Sequence, residues 1–186
     1  MTKKGLFGFQ KNGVRKVTYS HRDSHLKGLG RKVVRLCRNY SLDQLNKLYD
    51  ELILVEEDDN MTEDQKQVYK KYLPPECWNE ELDWTSVLKY SRDITAPILD
   101  GFKYLIEYGS FFGSMRCRWI YMINLDNNML EISKYGFEVT GQESDIVDPS
   151  VTYPKERGPI LVGHFPLDDI PDDWVEICEL KVNVAK

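Results

Sequence analysis

Nothing in this 186-residue chain approaches the roughly 20 consecutive apolar residues that cross a bilayer. No partner in the membrane is therefore expected. The opening "MTKK" is not followed by the apolar core of a signal peptide, so the expected compartment is the cytoplasm. The four cysteines, Cys37, Cys77, Cys117 and Cys178, include no C-x-x-C pair. That spacing excludes zinc knuckles and ribbons, which need two thiolates on one short loop. The cysteines read as reduced, buried thiols. Also absent are a P-loop, a G-x-G-x-x-G and the G-x-S-x-G of a nucleophile elbow. No cofactor is expected. Repeats and Pro- or Gly-rich linkers are missing too, which favours one domain over residues 1–186.

Acidic residues are scarce in one region only. Between Met1 and Asn39 there are eleven Lys or Arg and a single acid, Asp23. The remaining residues hold 14 Lys or Arg against 29 acids, a net charge of −15 that brings the chain to −5. Such a split points either to a basic face for an anionic partner or to a basic end packed against its own acidic remainder. With 41% hydrophobic residues, eleven tyrosines and four tryptophans, the composition is that of an ordered globular protein.

"GLFGFQ" and "VRKVTYS" flank "KNG", and Asn12-Gly13 is a strong signal for a two-residue hairpin turn over Gly5 to Ser20. A helix is predicted from about Arg31 to Asn39, with Arg31, Lys32, Arg35 and Arg38 on one face and Val33, Val34, Leu36 and Cys37 on the other. Ser41 with Gln44, and Thr62 with Gln65, form capping boxes. The first opens a helix expected to reach about Val55. Glu56 to Asp59 reads as a solvated loop. The second box opens a helix that "LPP" ends. Asp83 caps a short helix from Trp84 to about Tyr90. Thr95 opens another that carries Leu105 and Ile106 inward and closes at Gly109.

"CRWIYMINL", "DNN" and "MLEISKYGF" read as a second hairpin. Its first strand is apolar on both faces, with Trp119, Tyr121 and Ile123 opposite Ile120 and Met122, so it should be covered on both sides. Thr140 to Pro159 reads as a surface excursion, "PILVGHF" as a strand, "PLDDIPDD" as an acidic turn and "WVEICELKVNV" as a last strand. The order of hairpin, helices, hairpin and strands predicts an α+β fold with a largely antiparallel sheet covered by helices.

The stretch "TYSHRDSHLKGLGRK", Thr18 to Lys32, concentrates the candidate site residues. On an extended strand His21, Asp23 and His25 would point the same way, and His164 could join them on a metal. The alternative is structural, with Asp23 and Ser24 accepting backbone N–H groups in the turn and orienting His21. That alternative is preferred, and no metal is expected. A Ser-His-Asp arrangement would take Ser20 or Ser24 with His164 and Asp23. "KGLGRK" sets two glycines before a basic helix, where free N–H groups attract anions, so phosphate or nucleic acid is a further candidate ligand.

"GLFGFQKNGVRKVTYSHRDSHLKGLG", then "CRWIYMINLDNNMLEI" and "GHFPLDDIP", resemble a group of bacterial and phage proteins with no assigned activity. The resemblance covers most of the chain. A more distant similarity is to N-terminal nucleophile hydrolases, in the opening strand, tight turn and second strand ending in a polar cluster with Asp. That similarity implies a four-layer αββα sandwich. It implies Thr2 as nucleophile once Met1 is removed, with Arg22 and Asp23 as polar support. The reading preferred on residues and resemblance together is a cytoplasmic, non-enzymatic binding protein with a protein partner. The resemblance adds that it is phage-encoded and acts on a host or defence component. Its binding residues would be Arg31, Lys32, Arg35, Arg38, His21, Asp23 and Ser24. The alternatives are an amide hydrolase using Thr2 and a nucleotide or nucleic-acid binder using the basic first helix.

Overall fold

The computed structural model describes residues 4–78, 82–91, 93–109, 117–135 and 159–184. The first hairpin is β1 (Gly5–Lys11) and β2 (Val14–Ser20). Lys11 faces Val14 across the ladder, leaving Asn12 and Gly13 as the whole turn, with φ of 53° and 73°. Positive φ at both positions is the type I′ requirement, which Asn-Gly meets at little steric cost.

The chain then runs through a π-helical turn (Leu26–Gly30) into α1 (Arg31–Asn39) and α2 (Leu42–Glu51). Both capping boxes form, at Ser41 and at Thr62, the latter opening α3 (Glu63–Lys70). Asp83 caps α4 (Trp84–Tyr90) through Oδ1, which accepts the Ser86 N–H at 2.7 Å.

Two predicted helices end early. α2 stops at Glu51, and residues expected to continue it form β3 (Ile53–Val55). α5 is a single turn (Ala96–Leu99), and Leu105 and Ile106 lie in β4 (Tyr104–Ile106), not on a helix closed by Gly109. β3 and β4 pair in parallel as a small sheet. One stop has a tertiary cause and the other a local one. Lys16 Nζ donates to Tyr49 O at 2.8 Å and Leu52 O at 2.6 Å, satisfying carbonyls at the end of α2. Gly101, at φ 88°, turns the chain out of α5.

β5 (Trp119–Asn124) and β6 (Met129–Lys134) are the second hairpin, and β7 (Ile160–Pro166) follows. The main sheet has the order β2-β1-β5-β6-β7. All its pairings are antiparallel except that of β1 with the central strand, β5. The fold is α+β with a mostly antiparallel sheet, as the order of elements predicts. β5 is buried on both faces. Trp119, Tyr121 and Ile123 join a core with Phe7, Phe9, α1, α2 and Ile98 of α5. Ile120 and Met122 join a second core with Leu6, Val17, Tyr69 of α3 and Trp84 of α4. Helices thus pack directly on both faces of one sheet. The small sheet meets its edge, where Tyr108 donates its N–H to Val17 O at 2.8 Å. The four-layer sandwich implied by the distant resemblance is not seen among the described residues.

The last segment is a correction. "WVEICELKVNV" is α6 (Trp174–Val184), not a strand. Trp174, Val175 and Cys178, spaced i, i+1 and i+4, are buried in the first core, while Leu180 is 66% exposed. Period-2 alternation would have put Cys178 and Leu180 on one face. The β-branched content favours a strand, but burying one helical stripe decides otherwise. Residues 140–158 of the predicted surface excursion, and Thr2, lie outside the described residues.

Candidate functional site

The H-x-D-x-H stretch is not extended. β2 ends at Ser20, whose Oγ donates to Arg22 O at 2.9 Å, and Asp23 turns the chain at φ 56°. Its carboxylate pairs with His25 Nε2 at 2.7 Å, while its carbonyl accepts the Leu29 N–H at 2.8 Å. His21 points elsewhere, edge-on to Tyr19 with ring centroids 5.7 Å apart. The Asp23 carbonyl accepts a backbone N–H in the turn, but the Ser24 hydroxyl accepts none among the described residues, and the Asp23 carboxylate does not orient His21. Ser24 is fully buried; its carbonyl accepts the Tyr121 hydroxyl at 2.8 Å and its own hydroxyl has no partner among the described residues. Partial burial, and then the charges of Lys4, Arg22 and Lys89, hold the His21 imidazole below its ordinary 6.5.

"KGLGRK" is not a cradle of free N–H groups. The N–H groups of Gly28 and Gly30 donate to His25 O at 3.0 and 3.3 Å, and that of Leu29 to Asp23 O. Both glycines serve packing. A Cβ on Gly28 would run into Asp23, and one on Gly30 would sit 2.9 Å from Trp174 Cη2 and 3.0 Å from Tyr121 Cε1.

The basic helix face divides in two. Arg38 Nη2 donates to Ile170 O at 3.0 Å, Pro171 O at 3.3 Å and Asp172 Oδ1 at 2.8 Å, tying α1 to the acidic turn before α6. Arg31 and Arg35 are exposed and make no ion pair among the described residues. Lys32 is half-buried. A groove of about 430 Å³ lies between α1 and the start of α6, with Lys27, Arg31, Arg35 and Arg38 facing Asp172 and Glu176.

The other sites read from sequence do not assemble. His164 lies on β7 and Ser20 on β2, opposite edges of the main sheet. Four strand spacings separate them, roughly 19 Å. A Ser20-His164 pair cannot close across that distance. Among the described residues, no group of three or more His, Cys, Asp and Glu could hold a metal ion. All four cysteines are buried and unpaired by disulfide. Burial pushes the Cys37 and Cys178 thiols up to about 12 and Cys117 to about 11, so none of these three is a thiolate nucleophile near neutral pH.

No family model, curated protein or solved structure matches the chain. Its site is therefore read from its own geometry. Among the described residues no helix is long and apolar enough to cross a membrane.

Sequence reasoning missed a second basic cluster. Arg118, Trp119 and Lys134 join His25, Leu26 and Lys27 around a cleft of about 380 Å³ at the end of the sheet where β5 begins and β6 ends. Glu179, Val182 and Asn183 of α6 close its far side. The available signal was ladder register. With the turn placed over 125–128, Asn124 faces Met129 and Trp119 faces Lys134. Counting back from "DNN" would have set Lys134 beside Trp119, but Arg118, one residue before the ladder begins, is out of step with Lys134 and is brought to it only by the bend leading into β5.

Proposed function

We propose that this protein is a non-enzymatic binding protein whose outward basic ridge, Arg31 and Arg35 on α1, engages an acidic segment of a partner protein. The observation that carries the reading is the division of α1. Val33, Val34, Leu36 and Cys37 supply its burial, and Arg38 is consumed by the fold, yet Arg31 and Arg35 pair with no carboxylate among the described residues. The opposite wall of the groove bears Asp172 and Glu176. Asp172 is already paired with Arg38, but Glu176 would repel the continuous charge of a nucleic-acid backbone. A peptide of mixed charge can set its acids on the arginines and its bases on that wall. On the resemblance to phage proteins alone, the partner would be a host or defence component.

The test is an Arg31→Glu, Arg35→Glu double variant, assayed for melting and for partner capture from bacterial lysate at low and high salt. It should melt within about 0.5 kcal/mol per site of the parent. It should lose the salt-sensitive partner that the parent retains. Undiminished capture at both salt levels would place the binding surface elsewhere.

A further inference from the structure

Three cations meet in the cleft at the sheet end, each from a different element: Lys27 from the π-helical turn, Arg118 from the residue before β5, and Lys134 from the end of β6. Among the described residues, one acid lines the cleft with them. It is Glu179, whose carboxylate stands 3.5 Å from Lys27 Nζ with both side chains about half exposed. A second acid, Asp23, is paired with the lining His25. Counting His25 as neutral, the described lining residues carry +2 in a chain of −5. Exposed like charges spread apart unless the fold or a ligand holds them together. Here the β5–β6 register and the π-helical turn fix their origins, and Arg118 has no ion pair among the described residues. The Lys27–Glu179 contact is long and solvated, the kind of pair that contributes little and opens readily to a stronger anion.

Volume and chemistry narrow the ligand. About 380 Å³ is near the lower end of small-molecule sites. A guanidinium fork and two ammonium groups suit a tetrahedral oxyanion, and Asn183 adds an amide. Among the lining residues no aromatic face is open to a nucleobase. Lys134 Nζ sits 5.6 Å from the centroid of the Trp119 ring, which also stacks on Tyr121 at 6.4 Å and 17°. We infer that this cleft binds a small phosphorylated molecule, gripping its phosphoryl group through Lys27, Arg118 and Lys134. The inference does not rest on Arg31 or Arg35, since neither lines the cleft, although Lys27 borders both this cleft and the groove beside α1.

Inorganic phosphate is the probe. Titrated into the full chain, it should give saturable amide shifts at Lys27, Arg118, Trp119 and Lys134 and raise the melting temperature. Chloride at equal ionic strength should do neither. Arg118→Ala and Lys134→Gln should each weaken phosphate binding about tenfold or more, the value of one hydrogen bond to a charged group. The Arg31→Glu, Arg35→Glu variant should bind phosphate as the parent does, which separates this site from the partner surface. Arg118→Glu guards against a folding artefact: the side chain is exposed, so the variant should fold and bind no phosphate. Shifts that stay linear, that chloride reproduces, or that survive Arg118→Glu would overturn the inference. So would a single-stranded oligonucleotide that needs Arg118 and Lys134 while phosphate fails to bind, a result assigning the cleft to nucleic-acid backbone.

Discussion

Gly28 has no room for a side chain. A Cβ there would meet the Asp23 carbonyl oxygen and come within 2.7 Å of its carboxyl carbon. Asp23 cannot step aside cheaply, because it is already at φ 56° and its carbonyl holds the Leu29 N–H. Gly28→Ala should cost roughly 1–3 kcal/mol, the range for overpacking, read as a lowered melting temperature. Trp119 is the converse case, a side chain whose loss leaves a hole. It is 6% exposed beneath Lys134, and Trp119→Ala should cost about 3–5 kcal/mol. A variant melting with the parent would contradict its place in the core.

Asp126 acts through charge. Its carboxylate accepts N–H groups from Asn12 and Gly13 and the side-chain amide of Gln10, pinning the first turn to the second hairpin. The Gly13 N–H, more than any other favourable contact, holds its carboxyl below the ordinary 3.8. A depressed folded value means that the stabilisation is complete above the unfolded value and lost as pH falls through the folded one. The gap in melting temperature between parent and Asp126→Asn should therefore be constant at neutral pH and narrow as pH drops below 3.8. Parallel curves across that window would show that the clamp does not depend on the charge.

At the scale of elements, α1 has one arginine that builds the fold and two that do not. Arg38→Ala removes bonds to two carbonyls and Asp172 and should cost about 1 kcal/mol in chemical denaturation. Arg31→Ala and Arg35→Ala should each stay within about 0.5 kcal/mol. The helix starts at Ser41, Thr62 and Asp83 were legible in the sequence because a cap is chemistry between residues three apart. β3 and β4 were not. Each is three residues long, and Ile53, half exposed, becomes a strand only because Tyr104 lies beside it. For α6 the local residues mislead, since its valines and isoleucine suit a strand and only the stripe of Trp174, Val175 and Cys178 against the core makes it a helix. The candidate sites divide likewise. Arg31 and Arg35 were visible from helical period alone. A ladder sets Lys134 beside Trp119, the bend before β5 brings Arg118 to it, and Lys27 joins them through a turn whose geometry no local pattern announces.

At the scale of the molecule, the fold class follows from the order of hairpin, helices and hairpin, and the two-sided apolar character of β5 marks the centre of the sheet. Nothing local announces its parallel neighbour. Gly5 pairs with Trp119 and Phe9 with Ile123, contacts that span 114 positions of chain. That pairing bears on synthesis. The first hairpin leaves the ribosome while its central partner is still unmade, and at about 5–20 residues per second β5 follows roughly 6–20 s later. An isolated two-stranded hairpin is marginal in water. During that interval the open edge of β1 faces the solvent, even where α1 and α2 already cover Phe7 and Phe9. The nascent chain thus carries an aggregation-prone edge strand for seconds, and its yield in a cell will depend on whatever shields that edge until β5 arrives.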